Sequence, residues 1–318
     1  MTALPVSPAS ELAVLPPEQR WLIEGLWGAE AVGIIGGEPK CCKSFLALDM
    51  AVSVASATPC LRRFPVAHPG RVLLFAAEDA LSTVRQRLVG IATAANVSIT
   101  QLDLQVITAP TLRLDLEIDR EHLDDTIRVL RPTLLVLDPF VRLHRIDENV
   151  SAEVAPLLAY LRSLQRRYRT AIALVHHSRK GASHMRGGQA LRGSSELHAW
   201  GDSNLYLRRT GDGDSLALSI EHRAAPSSTG LSLHLLAEGD TLALHVEQAL
   251  HSPTPQTSPP TAIDRVEAVL SSAAQPLSLK SIRAQVRMRA ATVSDALASL
   301  VSQGRALHSA TGYSLVSR

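Results

Sequence analysis

The chain has 318 residues, of which 46% are hydrophobic and 3% aromatic, and its formal net charge is +2. That length accommodates one large α/β domain and a small appended one. The small charge excludes a polycation, so any nucleic-acid contact must come from local patches. Three cysteines are too few for a disulfide framework or a zinc site, which indicates a reducing compartment. With no 18-residue apolar run, we expect a cytoplasmic protein and no membrane partner.

Shifts in composition divide the chain into four predicted parts. Residues 1–20, rich in Pro, Ser and Ala, are expected to form a flexible N-terminal arm. Residues 21–248 alternate apolar strand patterns with helical ones, which is typical of an α/β fold with a mostly parallel sheet. Residues 249–261 form a Pro/Ser/Thr-rich linker, and residues 262–318 form a separate small module.

The elements of the large domain follow one another as alternating strands and helices. Predicted strands cover Val32–Ile35, Arg71–Ala76, Leu104–Ile107, Leu134–Asp138 and Ala171–Val175. Predicted helices cover Ser44–Ala57, Leu81–Ala95, Asp119–Leu130 and Val150–Arg169. Strands joined by Gly/Asp-rich turns, expected to extend the sheet in antiparallel fashion, cover Asn204–Arg208, Ser215–Glu221, Leu231–Leu236 and Thr241–Val246.

Ahead of the first strand, the segment Trp21–Trp27 carries two tryptophans. It is predicted to be a short amphipathic segment packed near the loop that follows. Two interpretations of its rings are open: they fill a core edge, or they stack on an adenine base. The core edge is favoured, because large aromatic side chains contribute most where they are buried.

The stretch from Val32 to Leu48 has the order strand, loop, helix, which a phosphate-binding loop requires. In the pattern G-x-x-x-x-G-K-[ST], Gly37 takes the first position, and Lys43 and Ser44 take the last two. Cys42 stands where the second glycine is expected. A side chain there is predicted to cost about 1–3 kcal/mol of strain, or roughly ten- to a hundred-fold in affinity. The predicted nucleotide-binding residues are Gly37, Glu38, Pro39, Lys40, Cys41, Cys42, Lys43, Ser44 and Phe45.

ATP hydrolysis at such a loop also requires groups that hold a metal ion and the phosphates. An open α/β sheet binds its ligand at the carboxyl ends of its strands, and Asp138 ends the apolar strand LLVLD. Ser44 and Asp138 are therefore predicted to hold Mg²⁺. Lys43 is predicted to reach the β- and γ-phosphates of ATP.

A base for the attacking water and a sensor of the γ-phosphate are expected at two further strand ends. Glu78 follows the strand RVLLFA and is predicted to polarise the water. Asp79 is its rival, or the N-cap of the next helix. At the end of AIALV, His177 or His176 is predicted to contact the γ-phosphate.

The five motifs in this order resemble a known family. Over roughly residues 20–248 the chain is similar to the RecA-type P-loop ATPases of the plasmid RepA replicative-helicase group, which is AAA_25-like. The resemblance rests on GEPK with the Lys-Ser pair, LLFAAED, LLVLDPF, LVHHSRKG and LRGSSEL. It implies a RecA-like core that binds ATP and Mg²⁺ between subunits of a homo-oligomeric ring, usually a hexamer, and moves on or remodels DNA. It also makes Glu78 the catalytic base, Asp138 the Walker-B acid and His177 the sensor.

By the same resemblance, residues 178–192 correspond to a loop that faces the central channel of the ring. The segment is rich in Gly, Ser, Arg and His. Arg179, Lys180 and Arg186 are its candidates for contact with the DNA backbone, because cationic side chains bind phosphates. A merely solvated loop is the alternative.

A ring ATPase of this kind also supplies an arginine to its neighbour's site. Arg192, in the motif LRGSS, is one candidate, and Arg208 and Arg209 at the end of a strand are two others. Asp202 lies in the region where the plasmid helicases tend to place an arginine. The sequence leaves the choice among the three open.

The C-terminal module contains three predicted helices and a hairpin, a pattern typical of a winged helix. The helices are expected at Ala262–Leu270, Ser278–Val286 and Ala290–Ser302, and the hairpin strands at Ala306–His308 and Tyr313–Val316. Seven basic against three acidic residues make the module net +4. Arg287 and Arg289, just before the third helix, are predicted to bind DNA; a protein–protein module is the alternative.

Two functions of different classes follow from these observations. The first is an oligomeric, ATP-hydrolysing DNA motor or remodeller of plasmid or mobile-element replication, with initiator or primase proteins as partners. The second is a nucleotide-gated or nucleotide-silent DNA-binding regulator, in which the ATPase fold serves assembly. Cys42 and the unassigned arginine favour the second, and the remaining motifs favour the first.

Overall fold

A computed structural model describes residues 6–11, 16, 19–177, 195–210, 215–238, 241–247, 262–273, 275–286, 288, 290–309 and 312–315. The chain divides into two compact units, Met1–Gln248 and Ala249–Arg318. The division falls at the start of the predicted Pro/Ser/Thr-rich linker. Each unit has its own hydrophobic core.

The large unit alternates strands and helices along the chain. Its strands are β1 (Trp21–Ile23), β2 (Trp27–Gly28), β3 (Val32–Gly37), β4 (Val72–Ala76), β5 (Leu104–Val106), β6 (Leu134–Asp138), β7 (Ala171–His177), β8 (Ser203–Arg209), β9 (Leu216–His222), β10 (Ser228–Glu238) and β11 (Thr241–Val246). Its helices are α1 (Lys43–Ser56), α2 (Leu81–Ala94), α3 (Glu117–Leu130), α4 (Ser151–Tyr168) and α5 (Ser195–Trp200). Short 3₁₀ helices cover Ala9–Glu11, Ile99–Gln101 and Phe140–Arg142.

Nine strands form one sheet in the order β11-β10-β9-β8-β3-β7-β6-β4-β5. The six strands from β8 to β5 run parallel, and β9, β10 and β11 continue the sheet in antiparallel fashion. The predicted α/β fold with a mostly parallel sheet is confirmed. The carboxyl ends of β3, β4, β6 and β7 lie side by side and form the edge at which such sheets bind ligands.

Strand β6 shows why the sheet must be covered on both faces. Its residues alternate between two buried clusters: Leu134 and Val136 pack on one face, and Leu135 and Leu137 on the other. Successive side chains of a strand point to opposite faces, so a run of apolar residues needs helices on both sides. The first cluster includes residues of α1 and α2, and the second includes residues of α3 and α4.

Two predicted details of the sheet are corrected by the structure. The segment Asn204–Arg208, predicted as an antiparallel strand, is β8, which is antiparallel to β9 but runs parallel to β3. Strand β7 does not end at Val175, because its ladder with β3 continues through the pairs Gly36–His176 and Gly37–His177. The segment Trp21–Trp27, predicted as a short amphipathic segment, contains β1 and the start of β2, which pair as a separate antiparallel sheet. Its second tryptophan is buried and donates from Nε1 to the carbonyl of Ala31 at 3.2 Å.

The small unit contains α6 (Ala262–Ser271), α7 (Leu279–Val286) and α8 (Ala290–Ser302), followed by the hairpin of β12 (Ala306–Ser309) and β13 (Gly312–Leu315). Ser278 caps α7, since its Oγ accepts the backbone N–H of Ser281 at 3.2 Å. An isolated antiparallel bridge between Leu277 and Tyr313 joins the segment before α7 to the hairpin. These elements match the predicted ones to within two residues. The winged-helix assignment itself stays a prediction.

Among the helices that the structure describes, none is both long and apolar enough to cross a bilayer.

Candidate functional site

A cleft of about 280 Å³ lies at the carboxyl ends of β3, β4, β6 and β7. Its walls come from the loop after β3, the start of α1, and the residues that end or follow the other three strands. The lining residues are Lys40, Cys41, Cys42, Lys43, Ser44, Phe45, Ala76, Glu78, Asp79, Arg87, Asp138, Val175 and His177. The structure thus brings together six of the predicted loop residues and the predicted base, metal ligand and sensor. Gly37, Glu38 and Pro39 belong to the same loop but are not among the residues that line the cleft.

The loop after β3 departs from ordinary backbone conformation at two non-glycine residues. Cys42 has φ 62° and ψ 25°, and Lys40 has φ 63°. Both lie in the left-handed region, which side chains disfavour. The expectation that Cys42 occupies a position requiring positive φ is therefore confirmed by its conformation.

Neighbouring strands hold this loop in place. Gly37 has φ 156°, and a Cβ there would lie 2.3 Å from the carbonyl oxygen of Leu207 and 2.6 Å from Sγ of Cys41. Only glycine permits that close approach of the loop to β8. On the outer side, Nη2 of Arg209 donates to the carbonyl of Lys40 at 3.0 Å. Two contacts with β8, at Gly37 and Lys40, thus hold the part of the loop that precedes Cys42.

Lys43 is the first residue of α1 and is almost completely buried. Its Nζ donates to the carbonyl of Glu38 at 2.7 Å and lies 3.8 Å from Sγ of Cys41. Burial lowers the pKa of Lys43, while Cys41 and Asp138 act in the opposite direction. An anion beside this ammonium group would offset its desolvation, which is what a phosphate group supplies.

Ser44 and Asp138 come together from two different elements, α1 and β6. Both residues line the cleft, and burial raises the pKa of Asp138 to about 6, although the Ser44 hydroxyl acts in the opposite direction. A buried carboxylate beside a hydroxyl is an oxygen ligand set of the kind Mg²⁺ prefers, and the cation would offset the burial of the charge. The two residues therefore fit the ion for which they were predicted.

The two acidic residues after β4 have different environments. Asp79 pairs with Arg87 of α2, with Nη1–Oδ2 and Nη2–Oδ1 distances of 2.5 and 3.2 Å, and does not cap that helix. Glu78 is exposed at the mouth of the cleft and pairs with Arg142, with an Nε–Oε1 distance of 2.9 Å. Since the bidentate contact holds Asp79, Glu78 is the better placed of the two rivals to reach a water molecule.

Sequence reasoning assigned no role in the site to Arg87 or Arg142. Arg87 lines the cleft, and its guanidinium lies 5.2 Å from the centroid of the Phe45 ring. A cation this close to an aromatic face is attracted by it. The one available signal was the position of Arg87 two turns into α2, on the helix that follows the acidic pair. Nothing in the sequence pointed to the contact of Arg142 with Glu78.

The two histidines that end β7 point to opposite faces of the sheet. His177 lines the cleft, and its Nδ1 is buried without a hydrogen-bond partner among the described residues. Burial lowers the pKa of His177, with a smaller contribution from Lys43. His176 is 1% exposed and lies on the other face. The geometry therefore favours His177 over His176 as the group that reaches a ligand in the cleft.

The candidate arginines are separated by the structure. Arg209 contacts the loop of its own chain, as described above, and Arg208 is exposed at the end of β8. Asp202 pairs with Arg162 and Arg223 and accepts the backbone N–H of Val32 at 3.3 Å. It lies at the amino end of β3, so it supports the sheet away from the cleft. Six predicted residues lie outside the described part of the chain: Arg179, Lys180, Arg186, Arg192, Arg287 and Arg289.

Two solved structures share the fold of this chain. One is an ATPase domain, which matches with a TM-score of 0.54 and 14% identity, over 68% of this chain and 84% of that one. The other is a DnaB-like replicative helicase, described with its interactions with primase, which matches with a TM-score of 0.53 and 15% identity. That second match covers 68% of this chain and 57% of the helicase, so the chain spans just over half of the helicase's length.

A family model described as "AAA domain" (AAA_25) matches residues 2–183. The match covers more than half of the chain and includes the loop after β3 and all the cleft residues described above. The chain therefore belongs to the AAA domain family AAA_25.

Proposed function

We propose that this protein binds and hydrolyses ATP in the cleft and uses the energy to move on or remodel DNA. The observation that carries the proposal is the convergence in one cleft of Lys43, Ser44, Asp138, Glu78 and His177 from four strand ends. Each has the chemistry that phosphoryl transfer requires: a cation for the phosphates, oxygen ligands for Mg²⁺, a base and a γ-phosphate contact. The family and the shared fold support the same reaction class.

In this mechanism the residues act by position and charge. Lys43 exchanges its bond with the Glu38 carbonyl for the β- and γ-phosphates, and the N-terminal N–H groups of α1 bind the same anion. Ser44 and Asp138 would hold Mg²⁺, which would supply positive charge to neutralise the phosphates. Glu78 orients the attacking water once its carboxylate has left Arg142, and His177, which lines the cleft, donates a ring N–H to the γ-phosphate.

The finer assignments belong to the same proposal. We assign the protein to plasmid or mobile-element replication, as a cytoplasmic homo-oligomeric ring, with a hexamer as the expected form. Arg192, Arg208 or Arg209 would complete the site of a neighbouring subunit. A described relative in fold, the DnaB-like helicase, interacts with primase, which makes primase or initiator proteins the partners to test.

DNA contacts are proposed at two places. Arg179, Lys180 and Arg186 follow β7 directly in the chain and would bind the phosphate backbone. Arg287 and Arg289 precede α8 of the small unit, whose three helices and hairpin support a winged helix that grips duplex DNA. Both sets predict binding that weakens steeply with salt.

A second function has one specific observation in its favour. Lys40 and Cys42 carry side chains at two left-handed positions of the loop. A nucleotide-gated DNA-binding regulator, in which the fold serves assembly and hydrolysis is lost, would tolerate such departures better than a motor would.

DNA-stimulated ATP turnover of the wild type, Lys43→Ala and Cys42→Gly separates the two functions. A motor requires turnover by the wild type, a gain on adding DNA, and its loss in Lys43→Ala. If the wild type is silent and Cys42→Gly gains turnover, the motor is refuted and the regulator stands. Binding of ATP at millimolar concentration with Mg²⁺ serves as the control, since absence of any occupancy refutes both nucleotide-dependent functions. Negative-stain images with and without ATP test the ring.

A further inference from the structure

Three titratable side chains form a buried cluster next to the cleft. His144, Glu148 and His176 are 6%, 8% and 1% exposed. Oε1 of Glu148 lies 3.4 Å from Nε2 of His144 and 4.0 Å from Nδ1 of His176. Phe140 closes the cluster, with its ring 4.4 Å from that of His144 and 6.0 Å from that of His176, both edge-on. The proposed reaction uses none of these groups.

The cluster links two segments that both contact the cleft. Phe140, His144 and Glu148 belong to the stretch that leaves β6 immediately after Asp138. The same stretch carries Arg142, which pairs with Glu78. His176 belongs to the last pair of residues in β7, beside the cleft residue His177.

The backbones of His176 and His177 move together. They are consecutive in a strand whose ladder with β3 continues to both of them, and they point to opposite faces of the sheet. Any shift that brings His177 toward a phosphate therefore also changes the contact of His176 with Glu148. The chain then runs directly into residues 178–192, the predicted DNA-contact segment.

A buried carboxylate is costly unless charge or hydrogen-bonding partners compensate it. Glu148 has two imidazoles beside it, and a movement of the end of β7 changes its distance to one of them, His176. Packed groups of this kind have discrete arrangements rather than a continuous range. That property suits an element that transmits occupancy of the cleft to the chain beyond it.

We propose that Glu148 is a positioning residue that acts through His176. It sets the end of β7, and with it the position of His177 against the γ-phosphate, at the point where the chain continues into the predicted DNA-contact segment. Loss of Glu148 should therefore impair the coupling of ATP turnover to DNA, while binding of ATP by Lys43 and Ser44 is retained. The inference rests on the proposed function.

The test uses the full chain and compares Glu148→Gln, His176→Leu and the double variant with the wild type. Glu148→Gln keeps the shape of the side chain and removes its charge; Glu121→Gln, exposed on α3, is the matched control. We expect the ratio of DNA-stimulated to basal turnover to fall about tenfold, because small misplacements of a reacting group cost up to about a hundredfold. The Kd for ATP should stay within about twofold of the wild-type value, and Glu121→Gln should change neither.

The double variant distinguishes positioning from general damage. If Glu148 acts through His176, the two substitutions share one effect, and the double variant is no worse than either single one. The inference would be overturned if the losses of the two single variants multiply in the double variant. An unchanged ratio of DNA-stimulated to basal turnover in Glu148→Gln would also overturn it. If thermal unfolding shows that Glu148→Gln does not fold, the ratio of DNA-stimulated to basal turnover in His176→Leu alone decides whether the inference holds.

Failure of the proposed function gives a different result. A wild type that binds ATP without turning it over refutes the motor and leaves the inference open to a second measurement. Amide exchange of residues 172–177 with and without ATP then decides: a difference that Glu148→Gln abolishes supports the coupling. No difference, or one that is the same in both chains, refutes it.

Discussion

Replacing Cys42 with glycine should stabilise the protein without improving its affinity for ATP. Cys42 has φ 62° and ψ 25°. A non-glycine residue in that region costs about 1–3 kcal/mol, and glycine returns about 0.5–1 kcal/mol of this in conformational entropy. The net gain is about 1 kcal/mol, or about 2–4 °C in Tm for a unit of this size.

The reason to expect little change in affinity is that the fold holds the loop. The contacts of Gly37 with Leu207 and of Arg209 with Lys40 hold it against β8. The strain at Cys42 therefore lowers the free energy of unfolding. Because it is already present before ATP binds, it does not lower the affinity for ATP. We expect the Kd for ATP to change by less than about threefold, well under the 1.4 kcal/mol that corresponds to a tenfold change.

Ala57 offers a matched control. It ends α1 with φ 62° and ψ 17°, almost the same conformation, at the opposite end of that helix, about 20 Å away. Ala57→Gly should raise Tm by a similar amount, with no effect on ATP binding. Calorimetric titration and thermal unfolding of both variants test the reasoning. A ten- to hundred-fold gain in affinity for Cys42→Gly alone would refute it and show that the thiol obstructs the phosphates.

Other substitutions in the cleft should have separable effects on stability and activity. Asp138→Asn should abolish Mg²⁺-dependent turnover yet stabilise the chain by up to about 3 kcal/mol at pH 8. Burial raises the folded-state pKa of Asp138 to about 6, so the wild type loses stability as the pH rises from about 4 to about 6. Urea unfolding should therefore show the gain vanishing near pH 4. Lys43→Met should abolish ATP binding, measured by titration, without loss of Tm, because burial lowers the pKa of Lys43 and an apolar side chain suits its site. Glu78→Gln should retain ATP binding and lose turnover. Arg142→Ala should change basal turnover by no more than about fivefold, because exposed ion pairs contribute up to about 1 kcal/mol. A larger effect of Arg142→Ala in a phosphate-release assay would place that residue in the reaction itself.

The architecture of the site was predictable because it follows from local patterns. Gly37, Lys43 and Ser44 form a motif, and Asp138 and Glu78 follow apolar strands. Parallel strands align their carboxyl ends at one edge, so residues distant in sequence were expected to meet there. The cleft confirms that they do.

What could not be predicted depends on contacts between segments that are distant in sequence. The direction of β8 is one case, since alternation of apolar residues is the same in parallel and antiparallel strands. The pairs Arg142–Glu78 and Glu148–His176 are others, because they depend on the path of the chain after β6. Sequence spacing carries no information about such a path.

The departure at Cys42 is therefore weaker evidence against hydrolysis than the sequence suggested. A missing glycine argues against activity only if its replacement distorts the loop, and the loop keeps its left-handed turn at Cys42, with Lys43 and Ser44 starting α1 immediately after it. Whether the site hydrolyses ATP then depends on the opposite wall of the cleft. There Glu78 is paired with Arg142. By the inference proposed above, Glu148 also positions His177 through its contact with His176. A protein that binds ATP tightly and turns it over slowly would place the defect in that wall, and Cys42→Gly would not repair it.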